Sequence, residues 1–259
     1  MDNFYALCDY LSLSTLKNHW QIVLLSAVIC TIIYEISRLI SPVLFPKTFQ
    51  FFKGYNGPNW HVHVVSTVHC LIVVTGSFFI MADDTLKSDR VFGYVPWAAD
   101  IYSVSCGYFL WDTFTALYFY KDQGITMVVH GIASFSVFIF SFYPFVNYYG
   151  AIFLMYELST IFLNFNWFMD KLGWTGSKIQ LVNGIVLLTT FFCARIIFGF
   201  YMSFQFLMDI YAVRDRVPLR LWIVYGVADV VTMGLNVYWF GLMVKMLRKR
   251  FSGAFTKHA

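Results

Sequence analysis

Long apolar segments follow one another along this chain and restrict it to folds that a lipid bilayer can hold. The 259 residues are 59% hydrophobic and 12% charged, whereas soluble domains carry about 25% charged residues. A helix that crosses a membrane needs about 20 mainly apolar residues. The pattern predicts seven crossings, at residues 20–40, 60–81, 97–120, 125–143, 147–168, 178–207 and 219–246. We therefore predict an all-α multi-pass membrane protein.

The loops and their charges predict how these helices are arranged. Tight connections at residues 121–124 and 144–147 indicate that the third, fourth and fifth helices are antiparallel neighbours. Lys and Arg accumulate in cytoplasmic loops. A cytosolic C-terminus places eleven of the 18 Lys and Arg in the cytosol and six on the other side, with Arg195 in the membrane. The basic tail after the last helix fits anionic lipid better than nucleic acid.

Five ionisable residues lie deep inside the apolar segments, and they are the main functional signal. They are Asp112, His130, Glu157, Arg195 and Asp229. A charged side chain at the centre of a membrane helix costs about 2.5–3.5 kcal/mol. We therefore expect these side chains to face one another, or a polar cavity, inside the bundle.

Helical spacing extends these positions into polar stripes. The stripes are His63, Ser66 and His69; Tyr108, Asp112 and Thr115; Glu157, Thr160, Asn164 and Trp167; and Asp229, Thr232 and Asn236. In the sixth span, Asn183 and Arg195 lie about 120° apart on a regular helix and do not align. Two structural alternatives stand beside a polar core. Asn, Ser and Thr in membrane helices often only hydrogen-bond to neighbouring helices, and Asp229 with Arg195 can form a structural ion pair.

Histidine is the residue type that most readily carries chemistry here. His130 can act as a nucleophile or base near neutral pH, and a carboxylate such as Asp112 beside it would fix its tautomer. His19, His61 and His63 lie near span ends and are expected at the membrane interface. The five cysteines form no C-x-x-C pair, so we interpret them as small buried hydrophobes and predict no metal site.

Five short motifs, in order along the chain, resemble those of the TLC-domain membrane proteins. They are Asn59-Trp60 followed by His63 to His69; Gly107 to Asp112; Val129 to Ser134; Met155 to Thr160 with Asn164; and Val182 to Gly184 with Phe191 to Arg195. The small TLC-domain-containing proteins are the most similar branch, and the ceramide synthases are more distant.

The resemblance implies a bundle of six helices, spans two to seven, around a lipid cavity. It divides the chain into an N-terminal segment with the first helix (1–58), a TLC domain (59–247) and a basic cytosolic tail (248–259). In the ceramide synthase branch it implies acyl transfer from acyl-CoA to a sphingoid base, with His130, Glu157 and, less directly, Asp112 at the matching positions. Gly131 replaces the second histidine of the synthases, and Thr160 and Asn164 replace two acidic residues.

Three functional classes follow from these observations. The first is a protein of endoplasmic reticulum or Golgi membranes that binds, traffics or regulates membrane lipids. Sphingolipids are among the candidate lipids. Its cavity would be lined by the polar-core residues His69, Ser66, Asn164, Asn183, Arg195, Asp229 and Asn236. The second is an acyltransferase with His130 central, which uses acyl-CoA as cosubstrate and no other cofactor. The third is a seven-helix transporter or receptor.

Overall fold

The computed structural model describes the backbone of residues 2–255 and the side chains of residues 2–248. Helices account for 84% of the protein, and the described range contains no strand. The helices are α1 (Asp2–Tyr10), α2 (Leu16–Leu44), α3 (Pro46–Phe49), α4 (Asn56–Ala82), α5 (Asp84–Ser88), α6 (Pro96–Tyr118), α7 (Tyr120–Gln123), α8 (Ile125–Phe140), α9 (Asn147–Leu154), α10 (Glu157–Lys171), α11 (Lys178–Phe191), α12 (Gly199–Ala212) and α13 (Leu219–Phe255). The predicted all-α multi-pass architecture is confirmed.

Contacts between distant segments define the two ends of the bundle. At one end, the Thr15 hydroxyl donates to the carbonyl oxygen of Phe142 at 2.7 Å. At the other end, the Lys171 ammonium donates to Asn56 Oδ1 at 2.7 Å. We call these the Thr15 end and the Lys171 end. The chain runs between them through α2, α4, α6, α8, α9 with α10, α11 with α12, and α13.

Not all of these runs are equally apolar. Four are long and apolar enough on their own to cross a membrane: Leu16–Leu44, Asn56–Ala82, Lys178–Ala212 and Leu219–Arg248. The helix Ile125–Phe140 is apolar but shorter. The remaining two runs contain the polar stripes of Asp112 and Glu157, and both of these side chains are buried inside the bundle. Their polarity therefore faces protein and not lipid.

Helix α2, the predicted first span, packs closely on the bundle. It runs along α6 and also contacts α4. The Ser26 hydroxyl donates to the carbonyl oxygen of Val104 at 2.8 Å. A Cβ atom at Gly107 would collide with the carbonyl oxygen of Val23 and lie 2.6 Å from the Cβ of Ser26. The glycine of the second motif thus lets the backbones of α2 and α6 approach each other.

The predicted fifth span, 147–168, is interrupted. It consists of α9 and α10, separated by Met155 and Tyr156. The break is stabilised from outside, because the Arg195 Nε–H donates to the carbonyl oxygen of Tyr156 at 3.0 Å. A membrane helix can be broken only where such a partner satisfies the backbone.

The prediction that the third, fourth and fifth spans are antiparallel neighbours is partly correct. Helix α8 packs against α6, as expected, and also against α13. The α9–α10 run instead packs mainly against α4. A cavity between α8 and the α9–α10 run accounts for the difference. At the C-terminus, α13 continues to Phe255, beyond the predicted limit of 246. Lys257 of the predicted basic tail lies outside the described residues.

Candidate functional site

Polar side chains of α4 and α10 form a ladder that starts near the Lys171 end. The Asn164 amide oxygen lies 2.8 Å from His63 Nδ1. Its amide nitrogen donates to Ser66 Oγ at 3.1 Å and to Thr67 Oγ1 at 3.0 Å. The stripes predicted for the second and fifth spans therefore face each other. His63 also stacks on Trp167, with ring centroids 4.3 Å apart, so it belongs to the ladder and not to the membrane interface.

Arg195 enters the bundle from a π-helical turn, Phe192–Phe198. A π turn holds more residues than an α turn and so rotates the side chains that follow it. This turn directs Arg195 into the bundle, where 6% of the residue is exposed. Asn183, on the regular helix before the turn, instead donates to the carbonyl oxygen of Phe162 at 2.9 Å. It lies on an outer groove of the bundle, away from the other predicted core residues.

The Arg195 guanidinium is the centre of the hydrogen-bond network. Its acceptors lie at the α9–α10 break, on α10 and on α13: the Tyr156 carbonyl and Ser159 Oγ, both at 3.0 Å, Thr160 Oγ1 at 2.9 Å and Asn236 Oδ1 at 3.2 Å. One side chain thus joins its own span to the α9–α10 run and to α13. Thr160 and Asn236 occupy the stripe positions predicted for them.

The ion-pair partner of Arg195 is Glu157. Arg195 Nη2 lies 3.8 Å from Glu157 Oε1. The other carboxylate oxygen, Oε2, accepts a hydrogen bond from the Cys70 thiol at 3.1 Å. Asp229 instead accepts a hydrogen bond from Ser203, so the alternative of an Asp229–Arg195 pair is wrong. Glu157 is the first residue of α10, where the helix dipole favours a negative charge.

A cavity with a free volume of about 70 Å³ lies beside this network. Four of the five predicted buried ionisable residues lie on its wall, namely His130, Glu157, Arg195 and Asp229. Most of the wall is apolar, with Phe109, Val137, Phe138, Phe145, Phe153 and Phe206 among its residues. A largely apolar wall with few polar groups is typical of ligand pockets.

Four buried polar atoms of residues on the cavity wall have no hydrogen-bond partner among the residues that the structure describes. They are Asn147 Oδ1, Tyr156 Oη, Tyr225 Oη and Asp229 Oδ1. An unsatisfied buried polar group costs about 1–3 kcal/mol. These atoms are therefore available to a ligand, and two of the four, an amide oxygen and a carboxylate oxygen, can only accept hydrogen bonds.

The surroundings of His130 are aromatic. Its ring meets Phe109 and Trp239 edge-on, with centroids 6.0 and 5.4 Å away. Neither Asp112 nor Glu157 hydrogen-bonds to it among the side chains described. Asp112 is buried on α6 but is not part of the cavity wall. The structure therefore brings His130 and Glu157 to one cavity and leaves Asp112 outside it.

Gly131 stands where the synthases have their second histidine, and no side chain fits there. A Cβ atom at this position would lie 2.6 Å from Thr113 Oγ1 and 3.1 Å from the Cα of Thr113. This contact is where α8 and α6 pack against each other. The substitution is thus part of the helix packing, and a side chain there would require α6 to move.

Two further histidines lie deeper than expected. His19 is 5% exposed, with Nδ1 2.8 Å from Asp100 and Nε2 2.9 Å from Tyr94. His61 is buried beside Ser37, at 2.8 Å. Both lie near span ends, as predicted from the sequence, but neighbouring helices and loops cover them.

Several site residues were missed by the sequence reasoning. They are Cys70, Asn147, Tyr156, Ser159, Ser203 and Tyr225. Spacing could have identified Cys70, because it lies four residues after Ser66 and next to His69 on the polar stripe of α4. The role of Tyr156 depends on a helix break that no local pattern signals.

These features define a class: a multi-pass helical membrane protein whose buried polar network borders an internal cavity. The sequence profile of the TLC domain matches residues 59–245, and the chain belongs to the TLC-domain family.

Several curated proteins are similar along most of the chain. An uncharacterized TLC domain-containing protein of Schizosaccharomyces pombe is 34% identical over 249 residues, covering 95% of this chain and 84% of that protein. TLC domain-containing protein 4 of Xenopus tropicalis is 31% identical, covering 78% and 81%. Topoisomerase I damage affected protein 4 of Saccharomyces cerevisiae is 29% identical, covering 74% and 70%. No solved structure matches the chain significantly.

Proposed function

We propose that this protein binds a membrane lipid in its internal cavity, as a step in lipid trafficking or homeostasis. The observation that carries the proposal is the wall of the cavity. It is mainly apolar, and it contains four buried polar atoms without protein partners. The cavity would widen along its apolar part to take an acyl chain, and a headgroup would satisfy the polar atoms.

The unpartnered atoms favour one kind of headgroup. Asp229 Oδ1 and Asn147 Oδ1 are acceptors, and they call for N–H or O–H donors. The Arg195 guanidinium already donates to four protein oxygens, so it offers less to an anionic phosphate. The ligand is therefore a lipid with amino or hydroxyl groups, such as a sphingoid base or a lipid derived from one.

A substitution that fills the cavity tests lipid binding directly. Ala228 lies on the cavity wall and is 5% exposed, whereas its neighbour Val227 is 58% exposed on the outer face of α13. We expect Ala228→Trp to reduce the lipid that copurifies with the protein several-fold, as measured by quantitative mass spectrometry. Val227→Trp is the matched control and should keep the wild-type amount. Equal lipid content in the two variants would contradict the proposal.

A single substitution tests the headgroup chemistry. Asp229→Asn keeps the size of the side chain and an oxygen for Ser203, but it removes the charge and one acceptor. Lipids with amino or hydroxyl headgroups should then be depleted, while lipids bound nonspecifically to the protein surface remain. An unchanged lipid profile, with the cavity still occupied, would show that Asp229 does not recognise the headgroup.

Acyl transfer is the second function, favoured by the presence of His130 and Glu157 on one cavity wall. Two observations argue against acyl transfer. No carboxylate among the described side chains hydrogen-bonds to His130, and Thr113 crowds the position of Gly131, where the synthases have a histidine. Purified protein, incubated with acyl-CoA and a sphingoid base, should form no more ceramide than the His130→Ala variant. Product that depends on His130 would instead establish the acyltransferase. The proposed location is an endoplasmic reticulum or Golgi membrane. The Lys and Arg distribution supports a cytosolic C-terminus.

A further inference from the structure

A second cluster of chemically reactive side chains lies behind the cavity wall. His69 and Cys70 are neighbours on α4, and Glu157 opens α10. One ligand atom from each of the three, an imidazole nitrogen, the thiol sulfur and a carboxylate oxygen, lies within 4.8 Å of the other two. All three residues are buried. We propose that His69, Cys70 and Glu157 bind a zinc ion inside the membrane-spanning bundle.

The state of His69 is the observation that points to a ligand. The residue is 3% exposed, and neither ring nitrogen has a hydrogen-bond partner among the described side chains. Tyr108 stacks on the ring at 3.7 Å between centroids, which holds its plane in place. A buried imidazole with two unsatisfied nitrogens is costly, and coordination of a metal by one of them removes part of that cost.

The donor set fits zinc. Imidazole nitrogen, thiolate sulfur and carboxylate oxygen are the three ligand types of protein zinc sites. Hard cations such as Mg²⁺ and Ca²⁺ prefer oxygen ligands only. Zinc sites with three protein ligands hold water or a ligand group in the fourth position. The three ligand atoms are already close together, within 4.8 Å of one another, and the Cys70 sulfur and Glu157 Oε2 are 3.1 Å apart.

Binding of the ion changes the charge of the site by one. The Cys70 thiol loses its proton to the solvent, the S–H bond is replaced by a Zn–S bond, and no electron is transferred. The thiolate and the Glu157 carboxylate offset the two charges of Zn²⁺, and the Arg195 guanidinium leaves the site with one net positive charge. Glu157 Oε1 stays beside Arg195, at 3.8 Å, so the guanidinium orients the carboxylate from outside the metal site. Since Glu157 also lies on the cavity wall, the ion would border the lipid cavity.

Metal content and a spectroscopic signature test the site without an activity assay. Wild-type protein purified in zinc-free detergent buffer, then loaded with ZnCl₂ and desalted, should hold about one zinc ion per chain by inductively coupled plasma mass spectrometry. Loading with CoCl₂ instead should give a thiolate-to-cobalt charge-transfer band. Cys70→Ser should lose the band and most of the metal. Its hydroxyl can still donate to Glu157, so the fold should be retained.

Cys106→Ser is the matched control, because Cys106 is equally buried but lies outside the cluster. It should bind metal and show the band as the wild type does. His69→Gln is a second variant and should lose zinc even if Cys70→Ser fails to fold. A wild-type protein that takes up no zinc, or Cys70→Ser and His69→Gln variants that keep it, would overturn the proposal. Lipid content, measured on the same samples, keeps this result separate from the cavity proposal.

Discussion

Arg195→Leu should destabilise the protein by about 3–5 kcal/mol, the range seen when one partner of a buried ion pair is removed. The substitution leaves the Glu157 carboxylate buried without its cation. It also removes donors from the Tyr156 carbonyl at the helix break and from Asn236 on α13. The expected result is a clear fall in the Tm of detergent-solubilised, metal-depleted protein, followed by intrinsic tryptophan fluorescence.

Two further variants show whether burial is the cause. Arg38 pairs with Glu35 at 2.6 Å, but both side chains are about half exposed. Exposed ion pairs contribute about 0–1 kcal/mol, so Arg38→Leu should leave the Tm nearly unchanged. The double variant Arg195→Leu with Glu157→Leu should recover part of the loss, because neither charge of this pair is then left buried without its partner. If Arg195→Leu and Arg38→Leu melt at the same temperature, the buried network does not stabilise the bundle.

Gly131→His should be the second strongly destabilising change, although it restores the histidine that the synthases carry. Overpacking of a close helix contact costs about 1–3 kcal/mol and occasionally more. The nearest atom here is Thr113 Oγ1 at 2.6 Å, and the Cα of Thr113 lies 3.1 Å away, so rotation of the Thr113 side chain alone does not make room for an imidazole. We expect a loss at or above the upper end of that range, and no gain of acyl transfer.

Smaller substitutions separate packing from the chemistry of histidine. Gly131→Ala should already lower the Tm, because the added methyl group meets Thr113. Gly184→Ala is the control on another helix, where a Cβ has no neighbour within 4 Å. Alanine favours a helix over glycine by about 1 kcal/mol, so this variant should melt at or above the wild-type temperature. A stable Gly131→Ala variant would mean that α6 and α8 separate easily.

The polar core could be predicted from sequence where the helices are regular. His63, Ser66 and Asn164 follow simple helical spacing, and they meet in the ladder. Arg195 does not follow it, because a π turn changes the phase of the sixth span between Asn183 and Arg195. The position of such a turn depends on tertiary contacts, which a single sequence does not display.

The metal ligands illustrate a second limit. Cysteine in an apolar helix is usually a small hydrophobe, so Cys70 was interpreted as one although it lies on the polar stripe of α4. Its relation to Glu157 arises only when α4 and α10 pack together, 87 residues apart in the chain. The helix break at Tyr156 could not be predicted for the same reason, since Arg195, which donates to the Tyr156 carbonyl, lies on another span.

The contact at Gly107 shows that the helices packed together include more of the chain than the segment that identifies the family. The TLC profile begins at residue 59, yet α6 meets α2 at a distance that leaves no room for a side chain. A chain that starts at residue 59 would leave that glycine and the Val104 carbonyl exposed to lipid tails, which offer no hydrogen bond. Helix α2 is therefore a structural part of this domain, and the small side chain of Ser26 is what lets it lie against Gly107.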